Sequence, residues 1–300
     1  MNNRTKIIGS IWALSGALLV STKAVIVKLA YQHDVDSASL LMLRMLFSLP
    51  FFTVIAWHTL SKNPEKLEAL KNPWPIALYG LMGYYLASFF DLAGLQYIDA
   101  GLERIILFTY PSIVLLLTVF WLKEKITLPQ VIAIIITFAG IGIAYLGNVS
   151  INQGPNMVKG AMLILLAAIT FSIYYIGSQK WVAHVGTRLY NSAAMIIAAI
   201  AIIIHNSLVN GFNLFSFSAP VYWYALLMAT VATVIPSFMI VEGIRVIGAK
   251  NSSIISTIGP ISTIILAAVF LGEKVNTLQW IGTLIVIGGI LFLMLKRKKK

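Results

Sequence analysis

The chain contains no cysteine. Disulfides, thiolate metal sites and cysteine nucleophiles are therefore excluded. Charge is scarce as well: Asp, Glu, Lys and Arg make up 11% of 300 residues, against about a quarter in soluble domains. The four histidines, His33, His58, His184 and His205, are scattered and mostly lie near the ends of apolar runs. No His-Glu-x-x-His spacing exists for zinc proteolysis. Asp91 is the only aspartate well inside an apolar run, so an aspartyl pair cannot meet at depth, and no histidine stands in pattern to activate a serine or threonine. Alternating segments of about ten residues, the mark of a membrane β-barrel, are missing. So are long polar connections. The longest, 58–75 and 207–219, are broken by Pro, Asn and Gly and are too short for a folded domain.

What the chain does have is apolar sequence, 59% of its residues, with a mean hydropathy of +0.89. Runs of about 20 apolar residues, enough to cross about 30 Å of hydrocarbon as helix, follow one another from end to end. The expected class is an all-α integral membrane protein with ten transmembrane helices, at 7–30, 37–57, 76–98, 100–122, 128–147, 159–182, 188–206, 220–244, 249–271 and 278–295. The first run follows Arg4 and Lys6 as a signal peptide would. It is long and lacks a small-residue cleavage site, so it reads as a retained span. The net charge of +12 invites a nucleic-acid reading. The basic residues, however, sit in short connections between spans, where topology accounts for them and no nucleic-acid partner is needed. Sixteen Lys and Arg fall on the N-terminal side, while the other side holds only Lys159 and Lys274. That asymmetry predicts a multi-pass plasma (inner) membrane protein with both termini cytoplasmic. The basic tail, 296–300, reads as an anchor attracted to anionic lipid.

The sequence also repeats itself. YPSIVLLLTVFWLKEK, from Tyr110 to Lys125, returns as GPISTIILAAVFLGEK from Gly259 to Lys274 at a constant offset of 149 residues. Pro111 falls on Pro260, Glu124 on Glu273, Lys125 on Lys274, Gln130 on Gln279 and Gly140 on Gly289. A fainter echo places Gly9 and Ser21 on Gly160 and Ser172. Such periodicity predicts two similar units, 1–147 and 159–295, of five helices each. Five is odd, so the second unit enters the membrane inverted relative to the first. Inverted-topology repeats are an architecture of secondary transporters, in which two units rock about a central site.

The paired Pro…Leu-x-Glu-Lys segments, the glycine-bearing helices that follow each, Lys28, Arg44 and the run from Val234 to Ala249 together resemble the drug/metabolite transporter superfamily, and within it the EamA-type transporters. The resemblance covers essentially the whole chain. It implies a carrier that exports amino acids or related small metabolites, from a central cavity lined by spans one, three, four, six, eight and nine. Lys123 departs from the pattern, where the second unit has Gly272.

Ionisable groups inside a membrane are costly unless paired or wet, so each is a candidate. At 1.5 Å of rise per residue, Lys23, Arg44 and Asp91 share a depth of roughly 10 Å, near Glu103 and Arg104. One reading gives Lys23 or Arg44 to a substrate carboxylate and Asp91 to an amine or to protons as the coupling ion. The other makes Arg44 with Asp91, and Glu103 with Arg104 or Lys23, internal ion pairs that fix helix register. Tyr84 lies seven residues before Asp91, and Glu103 seven before Tyr110, so phenols and acids share helical faces. Tyr174 and Tyr175 would face them from span six. The expected substrate-binding set is Lys23, Arg44, Tyr84, Asp91, Tyr110 and Tyr174, with no cofactor and no metal. Pro111, Pro236 and Pro260 interrupt apolar runs as hinges or static kinks. A lipid-carrier flippase keeps this fold with another cargo; an intramembrane enzyme and a passive channel are the remaining alternatives.

Overall fold

Hydrocarbon offers no water to an unpaired amide, so a chain this apolar must satisfy its backbone from within. The computed structural model does so with helices alone: among the described residues there is no strand. Those residues are 3–122, 127–149, 155–211, 215–240, 242, 246–247, 255 and 258–296. Lys123, Glu124, Lys125, Arg245, Lys250, Ser252, Ser253 and residues 297–300 lie outside them.

The elements run α1 (Asn3–Tyr31), α2 (Ser37–Lys62), α3 (Lys66–Ala69), α4 (Trp74–Gly80), a π-helical turn π1 (Leu81–Leu86), α5 (Ala87–Leu95), α6 (Ala100–Leu107) and α7 (Tyr110–Leu122). They continue with α8 (Leu128–Val149), α9 (Met157–Val185), α10 (Thr187–Asn210), α11 (Ala219–Ala229), a second π turn π2 (Thr230–Val234), α12 (235–240), α13 (Ile258–Leu271) and α14 (Thr277–Lys296). Eight helical stretches are long and apolar enough to cross a membrane, and Ile258–Leu271 and Thr277–Phe292 are shorter apolar helices. Apolar side chains such as Leu146, Val269 and Leu284 point out of the bundle, as a lipid-facing surface requires.

Local chemistry sets the breaks. Asp36 begins α2 by accepting hydrogen bonds from the Ala38 and Ser39 amides at 2.9 and 3.0 Å. Pro111 has no N–H to give the carbonyl four residues back, and the chain breaks at Phe108 and Thr109 before α7 begins. Pro236 deprives Ala232 in the same way, directly after π2. Gly272 adopts φ +66°, which turns the chain from α13 toward α14 and favours glycine.

The sequence interval recurs in the backbone. π1 begins at Leu81 and π2 at Thr230, 149 residues apart, as are the starts of α8 and α14. π1 packs on α9 and α10, while π2 packs on α1 and α2. Gly9 lies against Val246 and Ile247; Gly160 lies against Tyr97 and Ile98, the positions 149 residues earlier. α8 and α14 form the longest seam, with Gly140 and Gly282 meeting backbone to backbone, as small residues allow in membrane helices.

An added methyl at Gly282 would sit 2.5 Å from the Gly140 carbonyl oxygen, whereas one at Gly142 meets nothing within 4 Å. Gly282→Ala should therefore lower the unfolding free energy in detergent by about 1–3 kcal/mol, and Gly142→Ala should not. Equal melting curves for the two variants would refute the seam.

Candidate functional site: a buried ionic cluster above a tyrosine cluster

Two polar clusters lie inside the bundle, two helical turns apart along the continuous stretch π1–α5. The first gathers near the end marked by Tyr31 and Leu95. α1 carries Lys23, α5 carries Asp91 and α6 carries Glu103. The Lys23 ammonium contacts Asp91 Oδ2 directly and lies 3.8 Å from Glu103 Oε1. Asp91 and Glu103 are 2% and 0% exposed, so one ammonium serves two sealed carboxyls. Asp91 Oδ1 and both Glu103 oxygens accept no hydrogen bond from a described donor. Arg104 stands one residue along α6, its Nε buried without a partner and its guanidinium beside Gly259. Around this cluster lies an apolar shell that includes Ala24, Val27, Leu92, Leu95 and Ala100.

The second cluster is aromatic. Tyr84 in π1 bonds its hydroxyl to that of Tyr174 in α9 at 2.8 Å and donates to Asn191 Oδ1 in α10. Gly83 makes room: a methyl there would collide with the Tyr174 ring. Phe171 continues the stack, 5.7 Å from Tyr174 and 5.2 Å from Tyr110, whose ring also meets Tyr175 and Phe108. Such rings present a largely apolar wall with a few hydroxyls, the lining expected of a site for a mixed apolar and polar molecule.

Arg44 stands apart from both. Its Nε donates to Thr233 Oγ1 at 3.0 Å, the fourth residue of π2, as Tyr84 is the fourth of π1. The Arg44–Asp91 ion pair that one reading offered is not among the described contacts; Lys23 holds Asp91 Oδ2 instead. Of the expected set, Lys23 joins Asp91, Tyr84 joins Tyr174, and Tyr110 reaches them through Phe171. Asn191 and Thr233 were not foreseen. Their only sequence signal is a lone polar side chain in an apolar stretch.

Paired hydrogen bonds frame the site. Ser21 Oγ shares its one hydrogen between the Ala17 carbonyl of its own helix at 2.8 Å and the Gly259 carbonyl at 3.2 Å, and Ser172 Oγ shares its between the Ala168 carbonyl at 2.6 Å and the Tyr110 carbonyl at 3.1 Å. Gly259 and Tyr110 each immediately precede a proline, Pro260 and Pro111. Glu273 closes the α6 end. Its carboxyl accepts from the Ala100 and Gly101 amides at 2.9 and 3.3 Å, pairing donors that the start of a helix leaves free. Asp99, the residue before α6, instead accepts from Asn148 at 2.8 Å.

Two crevices open on the surface. One, of about 570 Å³, is apolar and lies between α1, α13 and α14, with Ile11, Leu14, Ile258 and Ile287 in its walls. The other, of about 320 Å³, is lined by His58, Arg188 and Phe238 among others. Neither includes a residue of the two clusters. Among the described residues no three metal-type side chains converge.

One family model, that of the EamA-like transporter family, matches the chain twice, over residues 7–146 and 158–295. The chain is 31% identical to an uncharacterized transporter, YcbK, of Bacillus subtilis (strain 168), over 97% of this chain and 95% of the relative. It is 23% identical to an aromatic amino acid exporter, YddG, of Ancylobacter novellus, over 46% and 48% of the two chains. A solved crystal structure with 16% identity superimposes at a TM-score of 0.66 over all of both chains.

Burial pushes the Glu273 carboxyl above its ordinary 4.5, and Asp99 adds to that rise, against the two amides and Lys28. A raised value in the folded state means that this group's contribution to stability is complete below about 4.5 and is lost as pH rises through the raised value. Glu273→Gln keeps an acceptor without the charge. The melting temperature of the wild type relative to this variant should fall as pH climbs from 4.5; parallel pH profiles would show that the cap carries no such cost.

Proposed function

The chain belongs to the EamA-like transporter family, and from that premise we propose that it exports small amphipathic metabolites, amino acids or close relatives, across the plasma membrane by alternating access. The two halves, 1–147 and 159–295, lie antiparallel with both termini cytoplasmic. They rock about the two polar clusters. What carries this reading is the set of hydrogen bonds that join one half to the other at those clusters: Tyr84 to Tyr174 and Asn191, Arg44 to Thr233, Ser21 to Gly259 and Ser172 to Tyr110. Hydrogen bonds of this kind contribute about 1 kcal/mol each, weak enough to exchange between two arrangements. The twofold family match, the π turns 149 residues apart and the reciprocal glycine contacts support the repeat.

The cargo enters between the tyrosines. Phe171, Tyr174 and Tyr110 flank its apolar part, while Lys23 offers an ammonium to its carboxylate and Asp91 a partner for its amine or for a coupling proton. Each ion of the Lys23–Asp91 pair stabilises the other until cargo replaces one of them, so the occluded arrangement has no uncompensated charge. A partial relative named as an aromatic amino acid exporter fits a site walled by rings. The reaction is translocation without covalent chemistry. A lipid-carrier flippase remains the second reading because the apolar crevice beside α1 lies on the surface and would take an acyl chain.

Purified protein in liposomes should exchange radiolabelled tryptophan but not a fluorescent phospholipid. Lys23→Ala and Asp91→Ala should each abolish that exchange at equal incorporation, and Tyr174→Phe should slow it about five-fold through loss of one hydrogen bond. Exchange undiminished in both alanine variants would end the assignment of the site, and lipid movement without solute exchange would favour the flippase.

A further inference from the structure

Glu103 is the most completely sealed charged residue in the bundle, and neither the cargo pair nor the tyrosine cluster uses it. The Lys23 ammonium touches Asp91 and lies 3.8 Å from Glu103, so the two carboxyls are neighbours across one cation. An ionised carboxylate only accepts hydrogen bonds, so two carboxyls can bond only if one of them carries a hydrogen. Asp91 already holds the Lys23 ammonium, whereas that ammonium lies 3.8 Å from Glu103. No described group donates a hydrogen bond to either Glu103 oxygen.

We propose that Glu103 holds a single proton, donated to Asp91, and that this is the proton exchanged in the transport cycle. The charged and titratable groups around it come from every side. Lys23 faces it from α1 and Asp91 from α5, with Arg44 on α2 behind Asp91. On its own helix stands Arg104, with Asp99 and Glu273 at the α6 start. α13 brings no ionisable side chain, and α14 none before Lys296; the phenols are Tyr145 on α8 and Tyr174 and Tyr175 on α9. With the proton in place, Lys23 and Asp91 balance each other and Glu103 adds no charge. When the α6 end opens to water, the proton passes from the Glu103 carboxyl to a water molecule and the carboxylate gains solvent. The reverse transfer reloads it. Lys23, released from Asp91, pairs either with a cargo carboxylate or with the vacated Glu103, so the cargo and the ionised Glu103 compete for one ammonium.

This assignment rests on the export reading for its role but not for its existence, and two measurements separate them. Infrared difference spectra of the purified protein, taken over a pH series in D2O, should show the carbonyl band of one buried protonated carboxyl that titrates. The band should vanish in Glu103→Gln, persist in Glu103→Asp and survive, shifted, in Asp91→Asn. In liposomes, a pH difference of about one unit should support about tenfold tryptophan accumulation by wild type for one proton per molecule. Glu103→Gln should exchange tryptophan at a rate that no longer varies with pH and should not accumulate it. A titrating band that remains in Glu103→Gln, or an undiminished response to the gradient in that variant, overturns the proposal. A wild type that moves no tryptophan counts against the cargo reading alone, since the band still decides where the proton resides.

Discussion

In a membrane, a helix cannot break without leaving amides and carbonyls that must find partners in protein. Two of the breaks among the described residues, those before α6 and before Pro111, occur where another part of the chain reaches them with a polar group. Beside the break before Pro111, Ser172 of α9 reaches the Tyr110 carbonyl; beside Pro260, Ser21 of α1 reaches the Gly259 carbonyl in the same way. Two of the donors left free at the start of α6 are taken by Glu273, which lies 173 and 172 residues further along. The π turns follow the same rule, since each packs on the first two long helices of the other half. π turns are frequent at functional sites, and here each offers its fourth side chain, Tyr84 or Thr233, to a polar residue of the opposite half.

From this constraint follows the location of the chemistry. A helix break is the place where polar groups are tolerated in hydrocarbon, and so charges gather beside it. The 149-residue interval recurs in the backbone, but the charges do not follow it. Positions matching Lys23 and Asp91 in the second half hold Tyr174 and Ile240. Lys23, Asp91 and Glu103 all precede residue 147, whereas the phenols come from both sides of it, Tyr84 and Tyr110 before and Tyr174 after, together with the Asn191 amide.

Much of this architecture was legible in the sequence. The offset of 149 residues is visible in Pro111 and Pro260, and eight of the apolar runs that hydropathy marks are helices long enough to cross a membrane, because burial in lipid acts on residue after residue. Ser21 and Ser172 were seen only as an echo, yet they turn out to make equivalent bonds. The pairings were harder to read. Arg44 and Asp91 share a depth, but which cation reaches Asp91 depends on how α1 and α2 are rotated about their axes, and spacing along one helix does not fix that. Glu273 looked like part of a repeated motif; its partner amides are remote in sequence and carry no side-chain signal. The π turns were invisible because nothing in Leu81–Leu86 marks them, and only Pro236 hints at the second.

The account depends on the two halves facing opposite ways in the membrane. A chain without native cysteine permits a clean test: Lys123→Cys and Lys274→Cys, made singly, are treated in intact cells with a membrane-impermeant maleimide. Inverted halves predict that the cysteine at position 274 reacts from outside and the one at position 123 reacts only after the cells are opened. Labelling of both from the same face would contradict the arrangement on which the site and its mechanism are built.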